Sequence, residues 1–143
     1  LYQGVITGRS ALAPSLDSLV VKSYANIAVS YHMEGLWKEA ENYYQSTLAL
    51  LEKDQSDAIY KETKAMVSAN YLNLLFDVLN RYHDAALLLK KIMADPFNKQ
   101  INISNHHLLL MAADYYLAVG EHQKFKDTAF RLEVFYKQQK PVR

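Results

Sequence analysis

Residues 24–40 read YANIAVSYHMEGLWKEA, and this segment determines how the rest of the chain is interpreted. Small residues stand at Ala28 and Ala40, on either side of Gly35, and an aromatic ring stands between them at Tyr31. Alanine lets two helix backbones approach, an aromatic ring fills the space beside them, and glycine adopts the left-handed conformation that ends a helix. The segment therefore predicts two antiparallel helices joined by a tight turn.

Helical periodicity continues through the rest of the sequence. Apolar residues advance in steps of three and four, and no segment alternates apolar and polar residues as a half-buried strand does. The predicted helices cover residues 15–34, 37–53, 56–79, 82–94, 104–119 and 121–137. In the first of them the predicted buried stripe is Leu16, Leu19, Val20, Tyr24, Ile27, Ala28 and Tyr31.

Helix ends are marked by turn and capping residues. Gly35, Asn80 and Gly120 are expected in the left-handed conformation, and Asp95-Pro96 is expected to end the fourth helix. The expected N-caps are Ser15, Ser56 and Ser104. Short turns of this kind make neighbouring helices antiparallel, so the six helices form three hairpins.

The three hairpins share a pattern around their turns. The turn residues are separated by 45 and 40 residues, and an aromatic residue precedes each by four positions, at Tyr31, Phe76 and Tyr116. This pattern resembles the tetratricopeptide repeat, most closely over residues 24–48, although the spacing exceeds that family's roughly 34 residues. In the second hairpin Asn80 replaces the glycine, and in the third Phe125 replaces an alanine.

The resemblance implies an all-α fold, with stacked antiparallel hairpins in a right-handed superhelix of about three repeats. It implies a single domain over residues 1–143, with hairpins at about 15–53, 56–94 and 104–137 and with residues 1–13 unassigned. The chain begins without methionine and is expected to be a piece of a larger protein.

Composition argues against several classes of function. The net charge is +1, so binding of nucleic acid by this domain is not expected. Without cysteine there is no disulfide or thiolate metal site, which suits a cytoplasmic protein. No apolar run approaches the ~18 residues that a membrane span needs. His106 and His107 point in different directions on a helix, and no other catalytic or metal motif is present, so neither enzyme activity nor a cofactor is expected.

What remains is a binding surface. In stacked hairpins the first helix of each pair lines the concave side. The side chains expected to contact a partner there are Lys22, Asn26, Met33, Asn70, Asp77, His107 and Asp114, with Val29, Leu74 and Met111 exposed between them. An asparagine amide both donates and accepts hydrogen bonds, which suits the backbone of an extended peptide.

The expected function is a module that binds a protein or peptide through this groove. Within that class, the sensor or scaffold part of a larger cytoplasmic regulatory protein is favoured, because the peptide-sensing domains of bacterial transcription regulators resemble the chain in their long hairpins. The alternative is an assembly element whose groove is filled by a neighbouring domain or by a second copy in a homo-oligomer.

Overall fold

A computed structural model describes residues 16–52 and 58–139, and every regular element in these two segments is helical, with no β-strand. The elements are α1 Leu16–Glu34, α2 Trp37–Leu51, α3 Ala58–Asn73, a π-helical turn Leu74–Val78, α4 Tyr82–Ala94, a 3-10 turn Pro96–Lys99, α5 His106–Ala118 and α6 His122–Gln138. The all-α prediction is confirmed. The predicted N-caps Ser15 and Ser56 lie outside the described residues.

The chain divides into two compact units, Leu1–Val67 and Ser68–Arg143, with the boundary inside α3. In the first unit, small residues lie where α1 and α2 pack, and all of them are buried: Ala25, Ala28 and Ala40. Tyr44 is also fully buried, and Tyr43 contacts the rings of Tyr24 and Tyr31 at centroid distances of 5.7 and 5.6 Å. The predicted packing of this hairpin around alanines is therefore present.

The buried face of α1 differs from the predicted stripe. Ser18, Val21, Ala25 and Ala28 are buried at helical spacing, whereas Leu19, Val20, Tyr24 and Ile27 are exposed. The prediction was wrong for these four residues because large apolar side chains were assigned to the core. A close helix contact instead selects the smaller residues, which let the backbones approach.

The turns at Gly35 and Gly120 have the same geometry. Both glycines have positive φ, 82° and 79° respectively. At Gly35 the N–H of Leu36 donates to the carbonyl of Tyr31 at 2.9 Å, and at Gly120 the N–H of Glu121 donates to the carbonyl of Tyr116 at 2.9 Å. These are the hydrogen bonds of a Schellman helix end, so both predicted left-handed turns are confirmed.

Asn80 also has positive φ, at 55°, as predicted, but the helix before it ends differently. The N–H of Leu79 donates to the carbonyl of Leu74, and the N–H of Arg81 donates to that of Leu75 at 2.7 Å, one residue further back than in the glycine turns. The extra residue belongs to the π-helical turn. Three consecutive side chains of this turn are buried, those of Leu74, Leu75 and Phe76.

A polar network fixes the connection between α4 and α5. Asn105 is fully buried, and its amide nitrogen donates to the carbonyls of Phe97 and Gln100 and to the side-chain oxygen of Asn98, at 3.2, 3.0 and 3.2 Å. The Asn105 side-chain oxygen accepts from the N–H of Asn102 at 2.8 Å. Both the nitrogen and the oxygen of this amide therefore have hydrogen-bond partners inside the protein.

The residue at the N-cap of α5 is Asn105, so the prediction for Ser104 was wrong. The Asn105 side chain makes no capping hydrogen bond, because its amide bonds to the segment before the helix. In that segment the side-chain oxygen of Asn102 accepts from the N–H groups of Ser104 and Asn105, both at 2.9 Å. Asp95 ends α4 in an extended conformation before Pro96, as predicted.

Candidate functional site

The outer face of α1 carries three of the predicted binding residues. Lys22, Asn26 and Met33 are all exposed and recur at helical spacing, with Val29 half-buried between them. Met33 is 84% exposed and lies two turns along the helix from Asn26, on the same side. The packed face of α1 holds Val21, Ala25 and Ala28. Lys22, Asn26 and Met33 therefore lie together on a face that points away from the core of their unit.

A comparable face is present on α5. His107 and Asp114 are exposed, and two apolar residues, Leu110 and Leu117, are exposed beside them, Leu117 by 52%. Met111 is half-buried. The opposite side of α5 packs into the core of the second unit through Leu108, Leu109, Ala112, Ala113, Tyr115 and Tyr116.

The remaining predicted residues lie around the π-helical turn. Asp77 is exposed, Asn70 is half-buried and makes a polar interaction, and Leu74 is fully buried. The expected exposure of Leu74 was wrong. The π-helical turn adds one residue before the helix end, which rotates the side chains after Asn73 relative to those of a regular helix.

The predicted binding residues thus fall into two sets. Lys22, Asn26 and Met33 share one face of α1 in the first unit. The second unit holds the other set, Asn70, Asp77, His107 and Asp114. Within this set His107 and Asp114 share the outer face of α5.

Aromatic rings pack around His32 beside the turn of the first hairpin. The ring nitrogen Nδ1 of His32 lies 2.7 Å from the hydroxyl of Tyr44, and the His32 ring contacts Trp37 edge-on at 5.9 Å. Burial lowers the pKa of His32 from its usual value and raises that of the Tyr44 phenol, so the phenol stays protonated. A hydrogen bond therefore joins two neutral groups, and the tautomer of the imidazole sets which of them donates.

Sequence reasoning missed an open groove on the last hairpin. It is shallow and open to solvent, with a volume of about 290 Å³, and lies between residues 99–101 and α6. The side chains that form most of its wall are Lys99, Ile101, Phe130, Arg131, Val134 and Phe135. A signal was present in the sequence, because the apolar stripe predicted for α6 is Phe125, Thr128, Ala129 and Leu132 and leaves Phe130 and Val134 outside it. Phe130 is 64% exposed.

Two further kinds of feature, a metal site and a membrane-spanning helix, are absent from the described residues. No group of three or more histidine, cysteine, aspartate or glutamate side chains there is arranged to hold a metal ion. No helix of residues 16–52 or 58–139 combines the length and the apolar character needed to cross a membrane.

Comparison of the chain with known proteins found no matching family model, no matching curated protein and no matching solved structure. The tetratricopeptide-like arrangement stays a prediction.

Proposed function

We propose that this chain is a helical-repeat module that binds another protein or peptide through the outer faces of its first helices. The observation that carries the proposal is the composition of those faces. On α1 and again on α5, polar side chains alternate with exposed apolar ones, as at Asn26 and Met33 and at Asp114 and Leu117. Exposed apolar side chains beside groups that can hydrogen-bond are typical of surfaces that bind polypeptides.

The polar groups on these faces suit a peptide backbone. A bound extended peptide leaves N–H and C=O groups unpaired unless the wall supplies partners, and each unpaired buried group costs about 1–3 kcal/mol. The amide of Asn26 supplies both a donor and an acceptor. Asp77 and Asp114 add acidic charge in the second unit, which favours a partner with a basic side chain or a free amino group.

The fuller proposal places these hairpins in a tetratricopeptide-like stack that acts as the sensor or scaffold part of a larger cytoplasmic regulator. The repeated turn supports it. A left-handed residue is followed two positions later by the first residue of the next helix at all three turns: Gly35 and Trp37, Asn80 and Tyr82, Gly120 and His122. Such recurrence at intervals of about 40 residues is typical of helical repeats.

The proposal is tested by capturing partners from lysate with the whole chain and with two double variants. Asn26→Ala with Met33→Ala alters the α1 face, and His107→Ala with Asp114→Ala alters the α5 face. Either should reduce capture of a specific partner about tenfold, because a few central residues carry most binding energy. Each melting temperature should stay close to that of the wild type, since these side chains are exposed.

The matched control replaces exposed residues of second helices, Lys38→Ala with Lys90→Ala. It should leave capture unchanged. If the control and the face variants lose partners equally, or if the face variants keep every partner, binding does not occur on these faces and the proposal fails.

An assembly role is the second candidate, and a specific observation favours it. Leu19, Val20 and Ile27 are exposed together along α1, although the sequence pattern had assigned them to the core. An apolar strip of this kind also suits a second copy or a neighbouring domain. Sedimentation velocity over a range of concentrations separates the two roles. Self-association supports assembly if Val20→Glu abolishes it. A chain that is monomeric at all concentrations excludes a homo-oligomer.

A further inference from the structure

From the groove on the last hairpin, we infer a second binding site that takes an acidic amphipathic segment of a partner protein. The site shares no residue with the α1 and α5 faces. The partner would insert apolar side chains between Ile101, Phe130 and Val134 while its carboxylates meet Lys99 and Arg131. A volume of about 290 Å³ is near the lower end for ligand sites, so the groove admits a few side chains rather than a large cofactor.

The groove is fixed in shape before a ligand arrives. The segment that contributes Lys99 and Ile101 is held by Asn105, whose buried amide donates to the Gln100 carbonyl at 3.0 Å. Arg131 ties the facing helix to the same segment, because its Nη2 donates to the Lys99 carbonyl at 2.8 Å. A wall fixed in this way loses little conformational entropy on binding.

The apolar side of the groove is fixed as well. The Phe135 ring stacks on His106 at 5.8 Å, with 24° between the ring planes. His106 in turn bonds to the Tyr136 hydroxyl through Nδ1 at 3.0 Å. Phe135 is half-buried by these contacts, whereas Phe130 and Val134 on the same helix remain exposed. The Phe130 ring and the Val134 methyl groups have a rigid support, and no residue among 68–139 covers them.

Charge identifies the kind of partner. Among the described residues that line the groove none is acidic, whereas Lys99 and Arg131 are cationic. The guanidinium of Arg131 uses one N–H on the Lys99 carbonyl and keeps others for a carboxylate, which it can bind in a bidentate manner. The nearest acidic residues of α6 are engaged elsewhere, because Asp127 accepts from Gln123 at 3.0 Å and Glu133 pairs with Lys137 at 3.9 Å. An apolar groove with only positive charge complements an acidic amphipathic helix.

The test measures binding of a defined probe to the whole chain by fluorescence anisotropy. The probe is a fluorescein-labelled peptide of about 14 residues with leucine and phenylalanine on one helical face and glutamate on the other. A second peptide carries lysine in place of each glutamate. The acidic peptide should bind and the basic one should not. In amide NMR spectra, the shifts that the acidic peptide causes should concentrate at residues 99–101 and 130–138.

Matched variants separate a specific site from general attraction. Lys99→Gln and Lys137→Gln remove the same charge, but only Lys99 lines the groove. Lys99→Gln should weaken binding about threefold or more, and Lys137→Gln should have little effect. Phe130→Ser should weaken binding about tenfold, whereas Leu87→Ser, at an exposed leucine of α4, should not. If Phe130→Ser lowers the melting temperature, Val134→Ser takes its place.

Several outcomes would overturn the inference. It fails if the basic peptide binds as well as the acidic one, if both lysine variants weaken binding equally, or if the shifts fall outside the groove. Sedimentation velocity of the chain alone covers a further occupant. If the chain forms a dimer that Val134→Asp dissociates, and if the acidic peptide does not dissociate that dimer, a second copy of the chain occupies the groove. The acidic partner is then wrong.

Discussion

The α1–α2 and α5–α6 hairpins have the same turn geometry, but the contacts that stabilise them lie at different ends of the two hairpins. Both turns have the Schellman hydrogen bonds around a glycine of positive φ. Both hairpins also pair a histidine of the first helix with a tyrosine of the second, His32 with Tyr44 and His106 with Tyr136, at 2.7 and 3.0 Å. The first pair lies beside its turn and the second lies at the open end of its hairpin.

The difference shows that the turn geometry and the source of stability are specified separately. Tyr44 is fully buried, so the first hairpin is held next to its turn by groups removed from water. Tyr136 is exposed, and the open end of the last hairpin is held instead by the asparagine network before α5. A hydrogen bond that is shielded from water contributes more to stability than an exposed one.

The largest expected effect is on the last hairpin, from Asn105→Ala. The change removes the amide partner of the Phe97 carbonyl, of the Asn98 side-chain oxygen and of the Asn102 N–H. It also removes one of the two donors to the Gln100 carbonyl, which keeps the Asn102 amide at 3.4 Å. At about 1–3 kcal/mol for each unpaired group, partly relieved by water, the free energy of unfolding should fall by about 3 kcal/mol. Urea unfolding followed by circular dichroism measures it. Asn26→Ala, at an exposed asparagine, should change it by about 0.5 kcal/mol or less. Equal effects would mean that the network does not hold the open end.

The next effect concerns the first hairpin, where helices meet over alanines. Ala28 and Ala40 are fully buried, so Ala28→Leu or Ala40→Leu adds methylene groups to closely packed space and should destabilise by about 1–3 kcal/mol. The position of Ala40 is occupied in the last hairpin by Phe125, which is half-buried. Phe125→Leu should therefore cost about 1 kcal/mol or less. Trp37, the chain's single tryptophan, reports unfolding of the first hairpin by fluorescence. A melting curve unchanged by Ala40→Leu would contradict the alanine contact.

The shared features of the two hairpins are those that the sequence predicts well. Gly35 and Gly120 have positive φ because a helix end of this kind selects glycine, and this preference is local. The helix bounds follow from the same local signals, the spacing of apolar residues and the Asp95-Pro96 stop. Such features depend on residues a few positions apart, which a single sequence contains in full.

The features that differ between the hairpins depend on contacts that are distant in sequence or on competing local partners. Asn105 rather than Ser104 is the N-cap of α5, and its amide bonds to the segment before the helix. Leu74 is buried at the start of a π-helical turn that apolar spacing does not reveal. The groove brings Lys99 and Arg131 together across 32 positions of the chain. Helical spacing predicts that the binding residues proposed on α1 and α5 are exposed. It does not predict that they bind a partner.

A smaller effect separates the two histidine–tyrosine pairs directly. Tyr44→Phe removes the hydroxyl that bonds to the half-buried His32, and it should cost about 1 kcal/mol. Tyr136→Phe removes an exposed hydrogen bond and should cost about 0.5 kcal/mol or less. Both variants keep the aromatic ring, so the difference between them in urea unfolding reports burial of the hydroxyl. If Tyr136→Phe costs as much as Tyr44→Phe, the two pairs contribute alike and burial does not distinguish them.

The smallest expected effect is a dependence of stability on pH that arises from His32. Burial lowers the pKa of His32 in the folded protein below its ordinary value of 6.5. Between these two pKa values the unfolded chain binds a proton that the folded chain does not, so the stability that His32 contributes above pH 6.5 is lost as the pH falls. The melting temperature, followed by Trp37 fluorescence, should therefore be lower at about pH 5.5 than at about pH 7.5. His32→Gln keeps an acceptor for Tyr44 but does not titrate, and it should reduce that difference. The deciding quantity is the change in this difference between the wild type and His32→Gln. An identical pH response in the two proteins would show that desolvation of His32 does not contribute to the stability of the first hairpin.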